Sequence, residues 1–232
     1  MEQMLQEFGC DTDFIALEEG VTRINVKVKS DDEFEINGQG PRIPDEKIRQ
    51  LYERLDALGS GDVLVLSGSI PNTLPDDMYE RIMERLAGTD VRISVDATKD
   101  LLMNVLKYHP FLIKPNNHEL GEMFGVTLES DDEIAEYARK LQEMGARNVR
   151  VSMAGDGAIL VTEDGSVLKQ LPPAGEVVNS VGAGDSMVAG FLAGYLKTGS
   201  YEEALKLGTA AGSATAFTSW LADAGTVGEL YK

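Results

Sequence analysis

Cysteine is almost missing from this sequence: Cys10 stands alone, which rules out an internal disulfide and fits a reducing compartment. Beside Phe8 and Gly9 it reads as a packing residue rather than a nucleophile. No apolar run approaches the roughly 20 residues of a membrane-spanning helix. No basic-then-apolar leader is seen either, so the expected location is the cytoplasm. Cations are scarce: 21 lysines and arginines face 39 aspartates and glutamates, a formal charge of −18. That balance disfavours nucleic acid and anionic membrane as partners except at a local basic patch. Two glycine signatures are absent as well. Gly-Lys-Ser/Thr occurs nowhere, which excludes a Walker A loop, and the third glycine of a dinucleotide fingerprint is replaced by Met187 after Gly184 and by Leu160 after Gly157. The two histidines, His109 and His118, read as surface residues.

The chain has 232 residues with 43% apolar content, enough for a sizeable core in one α/β domain or a domain with a small appendage. Met1, Met4, Leu5 and Phe8 recur at helical spacing and predict an amphipathic helix over residues 1–8. Residues 13–16 read as a short strand. Residues 22–29 alternate strictly, with Ile24, Val26 and Val28 on one face and Arg23, Asn25, Lys27 and Lys29 on the other. Ser30-Asp31-Asp32 then turns the chain into a second strand over 33–37, a hairpin that is either a solvated edge or a lid with a cationic face.

From Ile43 onward helix and strand alternate. A helix led by Pro44 carries Ile48, Leu51, Leu55 and Leu58, and Val63-Leu64-Val65-Leu66 runs apolar without alternating, the pattern of a strand buried on both faces. Next come helix 76–86, strand 91–95, helix 100–106, strand 111–113, helices 117–124 and 131–144, and strand 149–153. A hairpin across Glu163-Asp164-Gly165 succeeds them, then a helix opening near Asp185 and another over 201–218. This order predicts a doubly wound, mostly parallel sheet flanked by helices, with ligands at the carboxyl ends of the strands. The single tryptophan, Trp220, is expected to pack.

Asn179-Ser180-Val181-Gly182-Ala183-Gly184-Asp185-Ser186-Met187 is a turn of small residues that opens a helix. Its glycines let the backbone approach a ligand, and the first helical N–H groups together with the helix dipole make a seat for an anion. Asp185, on the first turn, either caps that helix or takes the proton of an attacking hydroxyl. Other strand ends carry polar groups with two readings. Ser67-Gly68-Ser69-Ile70-Pro71 is a strand-to-helix turn, Asn116 and Glu119 have the spacing of a capping box, and Asp96 caps the next segment or reaches a site.

Together these segments resemble the ribokinase-like (PfkB) carbohydrate kinases. Val-Gly-Ala-Gly-Asp-Ser-Met-Val-Ala-Gly-Phe is most similar to the 1-phosphofructokinase branch. Thr-Arg-Ile-Asn-Val-Lys resembles its lid, Ser-Gly-Ser-Ile-Pro its sugar pocket, and Lys-Pro-Asn-Asn-His-Glu its metal and nucleotide segment. The resemblance implies one kinase domain over 1–232 with a lid hairpin at about 21–40. It implies in-line transfer of the γ-phosphoryl group of ATP to D-fructose 1-phosphate, with tagatose 6-phosphate as the alternative acceptor. Asp185 is then the base, and the amides of Gly182, Ala183 and Gly184 stabilise developing charge. Arg23, Asn25, Lys27, Ser67, Gly68 and Ser69 hold the sugar phosphate. Asn116, Ser152, Gly155 and Gly157 lie along the nucleotide, and Gly212 and Ser213 border its adenine. Asn116 and Glu119 position Mg²⁺ through water.

The resembling relatives begin with a strand, lid segments and a Gly-Gly-Lys-Gly-x-Asn motif that this sequence lacks. The expectation is therefore an N-terminally truncated chain with a half-built sugar pocket and exposed strand edges, for which a homodimer is a candidate assembly. A reading of a different class stands beside it: a non-catalytic remnant that binds nucleotide without transferring phosphate.

Overall fold

The computed structural model describes residues 2–28 and 34–232. They form two compact units, one made of the segments up to Ser60 and Ile70–Thr89, the other of Gly61–Ser69 and Asp90–Lys232.

The first unit holds helix α1 (Glu2–Glu7), the antiparallel pair β1 (Asn25–Val28) and β2 (Phe34–Asn37), and helix α2 (Asp45–Leu55). Pro44 starts α2 in extended conformation, and Asp45 and Glu46 place negative charge at the helix's positive end. Helix α3 (Met78–Arg85) buries Met78, Ile82 and Met83. Tyr52 of α2 reaches Met78, and the Arg85 guanidinium donates two 2.6 Å hydrogen bonds to Asp56 while lying over the Tyr52 ring.

Some expectations change here. Helix α1 buries no residue: Met4 is 55% exposed, Leu5 is half-buried, and Phe8, just past the helix end, is 77% exposed, so among the described residues its amphipathic face is only partly covered. Residues 13–16 form no strand, because no neighbouring segment supplies the ladder bonds. Cys10 is exposed rather than packed. Residue 1, Lys29 and the turn Ser30-Asp31-Asp32 with Glu33 lie outside the described residues. In the hairpin, Ile24, Val26 and Ile36 are exposed.

The second unit is built on six strands in the order β3 (Val63–Ser67), β4 (Arg92–Asp96), β5 (Leu112–Ile113), β6 (Asn148–Ser152), β7 (Ala158–Val161) and β8 (Val167–Gln170). Strands β3 to β6 are parallel, and β7 and β8 complete the sheet antiparallel. The mostly parallel sheet flanked by helices is thus the architecture expected of alternating helix and strand. Helices α4 (Lys99–Val105), α5 (Asn117–Phe124) and α6 (Asp131–Glu143) connect the parallel strands. Helices α7 (Ala183–Thr198), α8 (Tyr201–Ala216) and α9 (Ala224–Leu230) end the chain.

Val95, Leu112, Ile113, Val149, Val151 and Leu160 are completely shielded, as is Phe191 of α7. Each such side chain contributes roughly 1.5–3 kcal/mol relative to exposure. α7 and α8 meet almost backbone to backbone. A Cβ added at Gly190 would stand 2.8 Å from that of Ala211, and one added at Gly208 would stand 2.8 Å from the Met187 carbonyl oxygen.

β3 departs from its expected burial on both faces. As the terminal strand of the sheet it encloses only Leu66 fully, and Val65 is 43% exposed. Trp220 also departs, at 77% exposed. The Thr218 hydroxyl donates to the Trp220 carbonyl and fixes the main chain there, and the next residue, Leu221, is itself 57% exposed with one methyl against Gly182.

Candidate active site

The carboxyl ends of β3, β4, β5 and β6 lie side by side, as parallel pairing requires. Ser67 is the register partner of Asp96, and Asn116 forms a parallel bridge with Ser152. The N-terminus of α7 belongs to this same end of the sheet, since the exposed Ser67 hydroxyl donates to Asp185 Oδ1 at 3.2 Å.

Gly182 starts α7 in the left-handed region at φ 81°, where a side chain is strained, and an added Cβ would meet Leu221 at 2.6 Å. No side chain caps the helix, so the capping reading of Asp185 falls away; its carboxylate is turned toward Ser67. One expected donor is committed elsewhere: the Ala183 N–H donates to the Ser180 carbonyl at 3.2 Å. The N–H groups of Gly184 and Asp185 donate to no backbone acceptor among the described residues, which leaves these first-turn amides available to a ligand.

Lys114 had no role assigned from sequence beyond its motif. Its ammonium ion pairs with Asp96 at 3.4 Å, the two side chains being only 11% and 18% exposed. That ammonium would stand 3.2 Å from a Cβ added at Gly184, a tight contact to which the lysine would have to yield. The signal in the sequence was a lysine at the carboxyl end of β5, directly before Pro115. Burial raises the Asp96 carboxyl above its ordinary value; Lys114 opposes this, and the nearby Asp185 and Glu119 charges add to it. Asp96 therefore belongs to the same cluster.

Asn116 and Glu119 form a complete capping box at the start of α5. Asn116 Oδ1 accepts from the Glu119 N–H, and Glu119 Oε2 accepts from the Asn116 N–H, both at 2.8 Å. Cap and ligand roles coexist here, because the box occupies a single carboxylate oxygen of Glu119.

A cavity of about 590 Å³ opens beside the α7 turn, lined by Gly155, Ala183, Met187, Gly212, Ser213 and Phe217 among others. Of the expected nucleotide contacts it contains Gly155, Gly212 and Ser213. Ser152 stands at the bridge to Asn116 instead, and Gly157 turns at φ 89° against the backbone of Gln170 without lining the cavity. Gly68, also at positive φ, donates its N–H to the Asp96 carbonyl at 3.0 Å, beside Ser69. In the first unit, Arg23 lines a separate 530 Å³ cavity with Phe14, Gly40 and Pro71, while Asn25 and Lys27 lie on β1.

Strand ends that gather a reachable carboxylate, a lysine, two carboxylic neighbours and a helix N-terminus with free amides suit phosphoryl transfer, and the chain's likeness to known proteins gives the class: a phosphotransferase of the carbohydrate-kinase kind. The chain belongs to the pfkB family of carbohydrate kinases, whose model matches residues 1–222. It is 49% identical to 1-phosphofructokinase of Bacillus subtilis over 221 residues, covering 95% of this chain and 72% of the relative. It is 37% identical to D-tagatose-1-phosphate kinase of Bacillus licheniformis over 213 residues, covering 91% of this chain and 69% of that one. Its fold is similar to the crystal structure of a Staphylococcus aureus protein assigned as a phosphofructokinase, with a TM-score of 0.89 and 40% identity over 100% of this chain and 75% of the other.

Proposed function

We propose that the protein transfers the γ-phosphoryl group of ATP to D-fructose 1-phosphate, giving fructose 1,6-bisphosphate. One observation carries this reading: the Asp185 carboxylate, held by Ser67, adjoins the amides that open α7. The acceptor is chosen on the likeness to the Bacillus subtilis enzyme.

In this reading Asp185 accepts the proton of the acceptor hydroxyl as that oxygen attacks phosphorus in line with the leaving oxygen. The first-turn amides of α7 receive the charge that builds on the transferring group, at no cost of reorganisation. Lys114, anchored by Asp96 beside Gly184, adds a fixed positive charge. The cavity at Gly212 and Ser213 receives the nucleoside, with Gly155 along it. Ser67, Gly68 and Ser69 meet the sugar. In the first unit, Arg23, Asn25 and Lys27 of the hairpin at about 21–40 are the groups that the family likeness assigns to a phosphate, for which the planar guanidinium fork is suited.

The donor set also fits Mg²⁺. Asn116 and Glu119 offer hard oxygen ligands at a strand end, through the waters that this ion retains. When bound, the ion neutralises phosphate charge. The whole chain then acts as one kinase domain. No helix among the described residues is long and apolar enough to cross a membrane. We read the protein as cytoplasmic, with a homodimer as its candidate assembly.

A second acceptor is favoured by the Bacillus licheniformis relative: the 1-phosphate of tagatose. Release of ADP measured with fructose 1-phosphate, tagatose 1-phosphate, tagatose 6-phosphate and no sugar separates these readings. Fastest turnover with fructose 1-phosphate supports the proposal. ATP binding without sugar-dependent ADP release selects the non-catalytic alternative.

A further inference from the structure

The largest completely buried side chain among the described residues is a charged one, Arg150. It stands on β6 opposite Leu160, and its guanidinium donates to Met187 Sδ at 3.1 Å and to Thr209 Oγ1 at 3.2 Å. Its Nε has no partner, and it forms no ion pair among the described residues. The anion it senses is Asp96, which is already engaged by Lys114. Burial pushes the guanidinium down to about 10, so it is still a cation at neutral pH.

A buried cation held by a thioether and a hydroxyl lowers stability, and an apolar side chain of similar volume avoids that loss. Its position indicates what the charge does. Met187 lies two residues beyond Asp185 and lines the 590 Å³ cavity together with Ala183 and Ser213. The guanidinium thus stands one side chain behind the cavity wall, beneath the helix turn whose amides await an anion.

We infer that Arg150 is a remote affinity determinant for the phosphate chain of the nucleotide: an unbalanced positive charge that never touches the ligand and acts through the protein interior. The inference rests on the nucleotide reading of this cavity. A neutral nucleoside gains nothing from such a charge, and each added phosphate gains more.

Calorimetric dissociation constants for ATP, ADP, AMP and adenosine, measured on the intact protein and on Arg150→Met, Arg150→Lys and Thr209→Val, test it. In Arg150→Met the ATP constant is expected to rise about tenfold, the scale of one charge acting through protein of intermediate dielectric. The adenosine constant stays level, and the melting temperature is unchanged or higher. Arg150→Lys restores part of the dependence on phosphate number, and Thr209→Val, which removes only a neutral partner, leaves that dependence intact. An equal loss for adenosine and ATP, an undiminished phosphate dependence in Arg150→Met, or loss of its cooperative melting overturns the inference and leaves a structural clamp. Failure of the unsubstituted protein to bind ATP instead overturns the nucleotide reading itself, which separates the two failures.

Discussion

The Ser67 hydroxyl donates a 3.2 Å hydrogen bond to Asp185 Oδ1 across 118 positions of sequence. One end of β3 and the first turn of α7 are thereby tied together, and the carboxylate is held in one orientation at a solvent-accessible end of the sheet. A hydrogen bond to a charged group is worth about 1.5–3 kcal/mol. Ser67→Ala is accordingly expected to lower kcat roughly tenfold. Asp185→Asn should lower it by about 10³, the scale of a lost general base, while ATP affinity changes little. If Ser67 works through Asp185, the double variant is no slower than Asp185→Asn alone. Steady-state kinetics with fructose 1-phosphate check this, and additive losses would detach Ser67 from the carboxylate.

Gly184→Ala probes the contact between α7 and Lys114. The new methyl group stands 3.2 Å from the ammonium, tight enough that the lysine must yield, and Lys114 is held by Asp96. The expected result is a cooperative melt close to that of the parent and an ATP dissociation constant raised about tenfold, the value of one displaced charge. Unchanged affinity would mean that Lys114 does not serve the phosphate seat.

A pH dependence arises from Asp96. Its folded-state value lies above the ordinary 3.8, chiefly through burial. As pH rises from 3.8 toward that raised value, the unfolded chain has already released the proton while the folded chain still holds it, so stability falls across that window and levels off above it. Asp96→Asn removes this component. Urea midpoints taken across the window should show the variant gaining on the parent as pH increases. A difference that is flat with pH would refute the assignment.

Trp220 reports its own surroundings. At 77% exposed, and being the only tryptophan, it should give a water-exposed emission spectrum that is fully accessible to iodide. A blue-shifted, protected emission would place the indole in packing that the structure denies it.

Much of this arrangement was legible because it is local. The capping box of Asn116 and Glu119, the glycine turn before Asp185 and the non-alternating strands each express their geometry within a few residues. Long-range pairings were not. Nothing near Ser67 announces Asp185, and nothing near Lys114 announces Gly184, because those contacts exist only after parallel strands stack their ends. Residues 13–16 had a strand's apolar content but no partner, and pairing decides a strand. Val65 reads as buried from its neighbours, yet its strand is the last in the sheet. Ala183 had the sequence of a free donor, and only the path of the preceding turn delivers its N–H to Ser180.

The glycine-lined contact between α7 and α8 has a mechanical result. With the two backbones so close at Gly190, Gly194 and Gly208, and Met187 seated on Gly212, tilting or sliding one helix against the other is costly. The span from the carboxylate at Asp185 to the wall at Ser213 therefore behaves as a gauge block of constant length, and any opening or shutting during turnover must be done by segments outside that pair.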